Sequence, residues 1–200
     1  MRSGPSGSAL KKDELADYGV PLLGIDNVHV ERFCKDYIRL VPLKKASQLS
    51  RYQVRPRDVM ITIMGTVGRA CVVPEDVGAA LSSKHVWTLT FNRNIYSPTL
   101  ACMQFNYSPW VLAHFRKDEQ GGVMASIRSE TLKSTLLPVP KMAETEIIEG
   151  ILNAISSYIE KSYLDCEKMR RYKTGLMHDL LTGKVRVTDI QNPTLTPESL

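Results

Sequence analysis

Residues 144–181 read ETEIIEGILNAISSYIEKSYLDCEKMRRYKTGLMHDLL, a stretch without a proline and with glycine only at Gly150 and Gly175. Ile148, Ile155, Ser162, Met169 and Leu176 recur every seven residues. Leu152, Ile159, Cys166, Lys173 and Leu180 follow them four places on. All of these except Ser162 and Lys173 are apolar, which is the 3-4 seam of a heptad helix. At 1.5 Å per residue the helix reaches roughly 57 Å, longer than a small domain is wide. A rod with one narrow apolar seam needs another helix to cover it. Ile148, Leu152, Ile155, Ile159, Met169, Leu176 and Leu180 are therefore expected to pair with a helix of a second copy, as a homodimer, or of a larger assembly. The alternative, folding back on the preceding domain, leaves much of the seam uncovered, because that domain is compact.

Upstream, from about Gly19 to Pro140, the sequence reads as short strands broken by turns. Val59 to Ile63 and Ala70 to Val73 are β-branched runs, and Met64-Gly65-Thr66-Val67-Gly68-Arg69 lies between them. Two glycines able to take positive φ make that segment a hairpin turn. His85 to Thr90 alternates as a strand, and Pro21 to Val30, Tyr37 to Val41 and Thr135 to Val139 are weaker strand candidates. Ser97-Pro98 and Ser108-Pro109 each open a helix, with serine as the N-cap and proline at the first helical position. The first should present Leu100, Met103 and Tyr107 to the core, and the second Trp110 or Val111, His114 and Phe115. A Gly-Gly loop over 117–123 precedes a short helix starting near Ser129 and ending before Pro138. The fold class is thus α+β: a mixed module of short strands and helices, then a long coiled-coil-forming C-terminal helix. Thr188 to Leu200 has no pattern and is expected to be a loose tail.

With 43% hydrophobic residues in 200, the chain can build one ordinary core. The net charge of +5 permits a polyanionic partner without demanding one. Cys34, Cys71, Cys102 and Cys166 form no C-x-x-C pair, and no histidine stands near them at zinc-ligand spacing. They are expected to be free, buried or half-buried thiols of a reducing cytosol. No run approaches the ~18 apolar residues of a membrane span, and residues 1–10 lack the apolar stretch of a signal peptide. The expectation is a soluble, cytoplasmic protein with no membrane contact.

Catalytic patterns are missing. There is no G-x-G-x-x-G or Walker-type loop, and no G-x-S-x-G. The [DE]-x-K spacing of common metal-dependent nucleases does not occur, nor does the Asn-Pro-Pro-aromatic or Asp-Pro-Pro-aromatic tetrapeptide of amino-methyltransferases. Glu75-Asp76 after Pro74 reads as a turn. The expectation is a non-enzyme with no metal and no cofactor.

Basic residues, in contrast, concentrate. Lys44, Lys45, Arg51, Arg55, Arg57 and Arg69 are opposed between positions 44 and 69 by Asp58 alone. Flanking one strand and its turn, several could share one face. Lys84-His85 enters a strand, and Arg116-Lys117 precedes the Gly-Gly loop. On loops, Lys and Arg meet phosphates while Arg, Lys, Gln, Ser and Thr read base edges. A merely solvated surface is an equal reading for the module. For the seven basic and three acidic residues from Lys161 to Arg186, solvation is the better one.

These motifs together resemble the specificity subunit of type I restriction–modification systems. Tyr18 to Val28 resembles the family's opening "G-x-P-x-hydrophobic-x-I-x-N-V". Arg57 to Arg69 is similar to "GDIL-x-x-x-x-G-T-h-G-R", followed by Val72-Val73-Pro74 as "h-V-P". Gly121 to Ile127 matches the glycine-rich loop, and Leu136 to Pro140 the "I-P-h-P" exit. Gly175 to Val187 resembles "G-L-h-x-x-L-L-T-G-K-x-R-V", the most specific of the five. The chain departs from the pattern in three ways. Glu144-Thr145-Glu146 replaces the usual Glu-Gln, the usual strand before the opening motif is missing, and one recognition domain and one helix stand where two of each are typical.

The resemblance implies a DNA target recognition domain over 1–142, a spacer and pairing helix over 143–187 and a tail over 188–200. It marks the chain as a half-length subunit or a fragment of a full one. It also implies double-stranded DNA, read at one half of a split site, and methyltransferase and restriction subunits as partners. Loop position nominates Thr66, Arg69, Lys84, His85, Arg116, Gly121, Gly122 and Ser126 as lying near DNA. Two other readings stay open: a recognition fragment of a fused restriction–methylation enzyme, and a coiled-coil assembly protein whose strand module binds protein.

Overall fold

The computed structural model describes residues 1–7, 9–117 and 126–186. The chain divides into two compact units, one ending at Thr145 and one beginning at Glu146.

The first unit holds two four-stranded sheets. In the first, β1 (Arg2–Ser3), β8 (Val86–Leu89), β5 (Val59–Thr62) and β6 (Ala70–Val72) are antiparallel in that order. In the second, the order is β3 (Leu40–Val41), β2 (Val20–Leu23), β7 (Ala80–Ser82) and β4 (Gln53–Val54), with β2 and β7 parallel. The pleat sends neighbouring residues of β2 to opposite faces. Leu23 joins Val28, Val54, Met60, Cys71, Val73 and Val86 in one core. Leu22 joins Val41, Leu81 and Ala46 and Leu49 from the segment of helix α1 (Leu43–Gln48) and its end in another. The second sheet is thus covered on both faces, and its strands read as apolar runs without alternation.

The expected hairpin is present, with Gly65 and Gly68 at φ +75 and +85. The strand candidate over Pro21 to Val30 is strand only within Val20–Leu23, after which a 3-10 turn over Ile25–Asn27 takes over. Only Leu40–Val41 of the segment starting at Tyr37 is strand. Residues 135–139 form none: Pro138 and Pro140 each lack an N–H to donate to a ladder. A strand does precede the opening motif. The two residues of β1 carry no strand signal of their own and are held by pairing with β8 and by Arg2, whose guanidinium meets the fully buried Asp58 carboxylate. Asp58 also accepts from the Arg55 amide at 2.8 Å and the Thr90 hydroxyl at 2.6 Å. Arg57, just before it, has φ +65, in the left-handed region that glycine tolerates best.

Helices α2 (Pro98–Tyr107) and α3 (Pro109–Arg116) start at the two Ser-Pro pairs, and Ser97 Oγ caps the first by accepting from the Leu100 amide at 3.1 Å. The buried residues of α2 are Pro98, Leu100, Ala101, Cys102 and Phe105, while Tyr107 is exposed and Met103 half-buried. Close approach of α2 to β6 and β5 needs its small residues inward. On α3, Val111 and Phe115 are buried, Trp110 is exposed and His114 is half-buried. Helix α4 covers Ser129–Lys133.

Helix α5 runs from Met142 to Leu181, 40 residues, or about 60 Å. Its end explains the Leu-Leu-Thr-Gly-Lys motif. Gly183 takes φ +71 just past the last turn, and the Val185 amide bonds back to the Asp179 carbonyl at 3.1 Å. The Thr182 hydroxyl closes on the His178 carbonyl at 2.6 Å, and Lys184 pairs with Asp179 at 3.3 Å. The motif is a helix stop. The expected tail from 188 lies outside the described residues.

Candidate nucleic-acid interface

The turn between β5 and β6 is fixed from beneath by Thr62, which is fully buried. Its hydroxyl donates to the Thr66 carbonyl and accepts from the Arg69 amide at 3.1 Å. Its carbonyl accepts from Gly68 at 2.9 Å. The strand end therefore holds Thr66 and Arg69 in a preset arch. The next residue, Ile63, ties in two further segments. Its amide donates to the His85 carbonyl at 3.1 Å, and its carbonyl accepts from Ile127 at 3.3 Å. Met64 and Ser126 form an antiparallel bridge. A side chain on Gly68 would touch Phe115, the residue before Arg116, and one on Gly65 would touch Ile25.

The fold thus brings Thr66, Arg69, Lys84, His85, Arg116 and Ser126, from four separate parts of the sequence, to one end of the first sheet. Gly121 and Gly122 lie outside the described residues. Arg69, Lys84 and Arg116 are exposed, while Thr66, His85 and Ser126 are half-buried. The hydroxyls of Thr66 and Ser83 are buried without a hydrogen-bond partner, an unusual state for buried polar groups. Burial first, then the charges of Lys84 and Arg39, hold the His85 imidazole below its ordinary pKa, and Asp26 partly offsets them. His85 is therefore neutral at pH 7 and offers one N–H and one lone pair.

The opening motif supplies the neighbouring loop. Asn27 is buried, accepts from the Gly24 amide at 2.9 Å and donates to the Cys34 and Asp36 carbonyls at 3.0 Å each. That clamp presents Asp26, which pairs with Arg39 at 2.8 Å. Sequence reading missed Asp26, Arg39 and Thr62. A polar β-branched residue closing a buried strand was the available sign of Thr62, whereas the Asp26–Arg39 pair joins positions with no local relation.

Arg57 lies at the far end of the β5–β6 hairpin, 3.9 Å from Glu75. Lys45 pairs with Glu14 at 2.7 Å, and the Arg51 guanidinium stacks 4.6 Å above Tyr52. Of the residues from Lys44 to Arg69, several of which could share one face, Arg57 and Arg69 stand at opposite ends of the β5–β6 hairpin. Glu75-Asp76 is a turn, and Asp76 is held by Lys35 at 2.6 Å. Among the described residues no group of three His, Cys, Asp or Glu is placed to hold a metal, and no helix is long and apolar enough to cross a membrane.

Within α5, Thr145 alone is buried among the described residues. Of the seam positions, Ile155, Ile159, Met169 and Leu176 are exposed, and Ile148, Leu152 and Leu180 half-buried.

No protein-family model matches the chain. The type I restriction enzyme MjaVIII specificity subunit of Methanocaldococcus jannaschii is 23% identical over 193 residues, 92% of this chain and 44% of that protein. The putative type I restriction enzyme MjaX specificity subunit of the same organism is 36% identical over 67 residues, 34% of this chain and 16% of that protein. A solved chain from work on complex assembly and conformational transition of the type I R-M system covers 68% of this chain and 35% of its own length. Its TM-score is 0.50 at 16% identity, a likeness of fold. The motif resemblance and these alignments agree: this chain is a relative of type I restriction enzyme specificity subunits, and it spans less than half the length of the curated relatives it matches.

Proposed function

We propose that the chain is a non-catalytic DNA-recognition subunit, or part of one, of a cytoplasmic type I restriction–modification complex. The module binds one half of a bipartite DNA site through the loops around Gly65. The long helix sets spacing and pairs with an equivalent helix, in a second copy or a second half. Methyltransferase subunits dock on the assembly and restriction subunits join them. The carrying observation is the gathering of Thr66, Arg69, Lys84, His85, Arg116 and Ser126 at one sheet end, in a relative of specificity subunits. Exposed Arg and Lys there suit phosphates, and a neutral imidazole with hydroxyls suits base edges.

The test is fluorescence anisotropy on a labelled duplex across a salt series, with and without a methyltransferase subunit. Log K should fall by about 0.9 per log unit of salt for each phosphate neutralised, and a methyltransferase subunit should raise affinity. A flat salt profile for the complex would overturn the reading. Capture of a protein with no duplex binding would favour the assembly-protein alternative.

A further inference from the structure

Arg39 immediately precedes β3 and lies beside the sheet end just described. Its Nη2 donates to Asp26 Oδ2 at 2.8 Å, the guanidinium being 28% exposed and the carboxylate 47%. The guanidinium sits beside the bare Cα of Gly24. A methyl group there would collide with Nη2 and stand 3.2 Å from Ser83 Oγ. Glycine is therefore what lets the guanidinium occupy this place. Ser83 is backed by the N-terminal segment, whose Gly4 amide donates to the Ser83 carbonyl at 3.2 Å. The Ser83 hydroxyl itself is buried and unpartnered.

An arginine has five N–H donors in a planar fork. Here one nitrogen is engaged, and no other side-chain hydrogen bond of Arg39 exists among the described residues. The Nε and Nη1 edge is left for a second acceptor. A half-exposed ion pair contributes little to stability, so folding alone does not account for a guanidinium laid over glycine beside an unmet hydroxyl. The arrangement fits an anionic oxygen approaching a preset fork, and Lys84, exposed after Ser83, adds a second positive charge. The approach suits a backbone phosphate better than a base edge, because one nitrogen of the fork is already tied to Asp26 and the side chain is only 28% exposed.

We infer that Arg39 is a phosphate-binding residue of the DNA interface, that Gly24 makes room for its guanidinium, and that Asp26 is a clasp holding the fork in place while opposing DNA by its charge. The inference rests on the DNA-recognition reading above.

The experiment is anisotropy of the full chain with a random-sequence duplex over a salt series, with thermal melts to confirm folding. Arg39→Ala should weaken binding at low salt and reduce the salt slope by about 0.9, the value for one lost phosphate contact. Arg39→Lys should keep the slope but lose affinity, since it keeps the charge and loses the fork. Asp26→Asn should tighten binding several-fold. Gly24→Ala, which alters no charge, should weaken it, and if that variant does not fold the arginine variants decide. Arg57→Ala, at the far end of the β5–β6 hairpin, should leave the slope unchanged. A wild-type slope for Arg39→Ala, with Arg69→Ala and Lys84→Ala both reducing it, would overturn the assignment of Arg39 and leave DNA recognition standing. Weaker binding by Asp26→Asn would overturn the role given to Asp26. No duplex binding by the wild-type chain at low salt would overturn both the inference and the reading beneath it.

Discussion

The strand module and the long helix use apolar residues in opposite ways. Every buried hydrophobic residue among those described lies at or before Leu132. Beyond it, Ile151, Ile155, Tyr158, Ile159, Leu164, Met169, Tyr172 and Leu176 are all about half exposed or more. The module buries apolar clusters within its two sheets and the helices on them, although Ile38, Leu43, Trp110 and Leu136 stay exposed. The helix satisfies its backbone internally but leaves its side chains uncovered, and a 40-residue helix draws most of its stability from packing. The first has a core of its own, and the second has no buried apolar residue among those described.

The largest contrast should appear in cysteine reactivity. Burial holds Cys71 well above its ordinary pKa and pushes Cys102 up to about 12. Cys166, on the helix, is exposed. A thiol reagent followed by mass spectrometry should label Cys166 faster than Cys71 or Cys102 by ~1,000-fold or more, because the buried thiols react only through rare openings. Comparable rates would break the comparison. Cys166 occupies the seam, so a slowing of its labelling with rising protein concentration would sharpen it.

Next comes truncation. Met60→Ala in the core should cost about 2–5 kcal/mol in denaturant unfolding, whatever the concentration. Ile155→Ala should cost less than about 0.5 kcal/mol in the isolated chain. Its effect should grow with concentration as helices pair, since association stabilises by mass action. Equal costs at every concentration would show that the seam is already covered within one chain.

Smaller than the core truncation are the effects at two positions with positive φ, one in each region. Arg57 stands at φ +65 where the family pattern carries glycine, and Gly183 stands at φ +71 after the helix. Arg57→Gly should relieve backbone strain and stabilise the module by about 1 kcal/mol. Gly183→Ala should cost about 1 kcal/mol and fray the last turn, read as lost helicity by circular dichroism. A destabilised Arg57→Gly would mean that its weak contact with Glu75 outweighs the strain.

What could be read without coordinates was local. The helix over 142–181 follows from a period repeated for five heptads, the hairpin from two β-branched runs around Gly65 and Gly68, and the helix starts from Ser97-Pro98 and Ser108-Pro109. Each is a relation among residues a few places apart, and local backbone preference is enough to express it. Tertiary structure decided the parallel pairing of β2 with β7, the anchoring of β1 through Arg2 and Asp58, the inward turn of Cys102 and Phe105 in place of Met103 and Tyr107, and the meeting of Arg39 with Asp26 over Gly24. Strands covered on both faces lose the alternation that would announce them, and an ion pair between residues apart in sequence exists only because two loops are brought to the same sheet end.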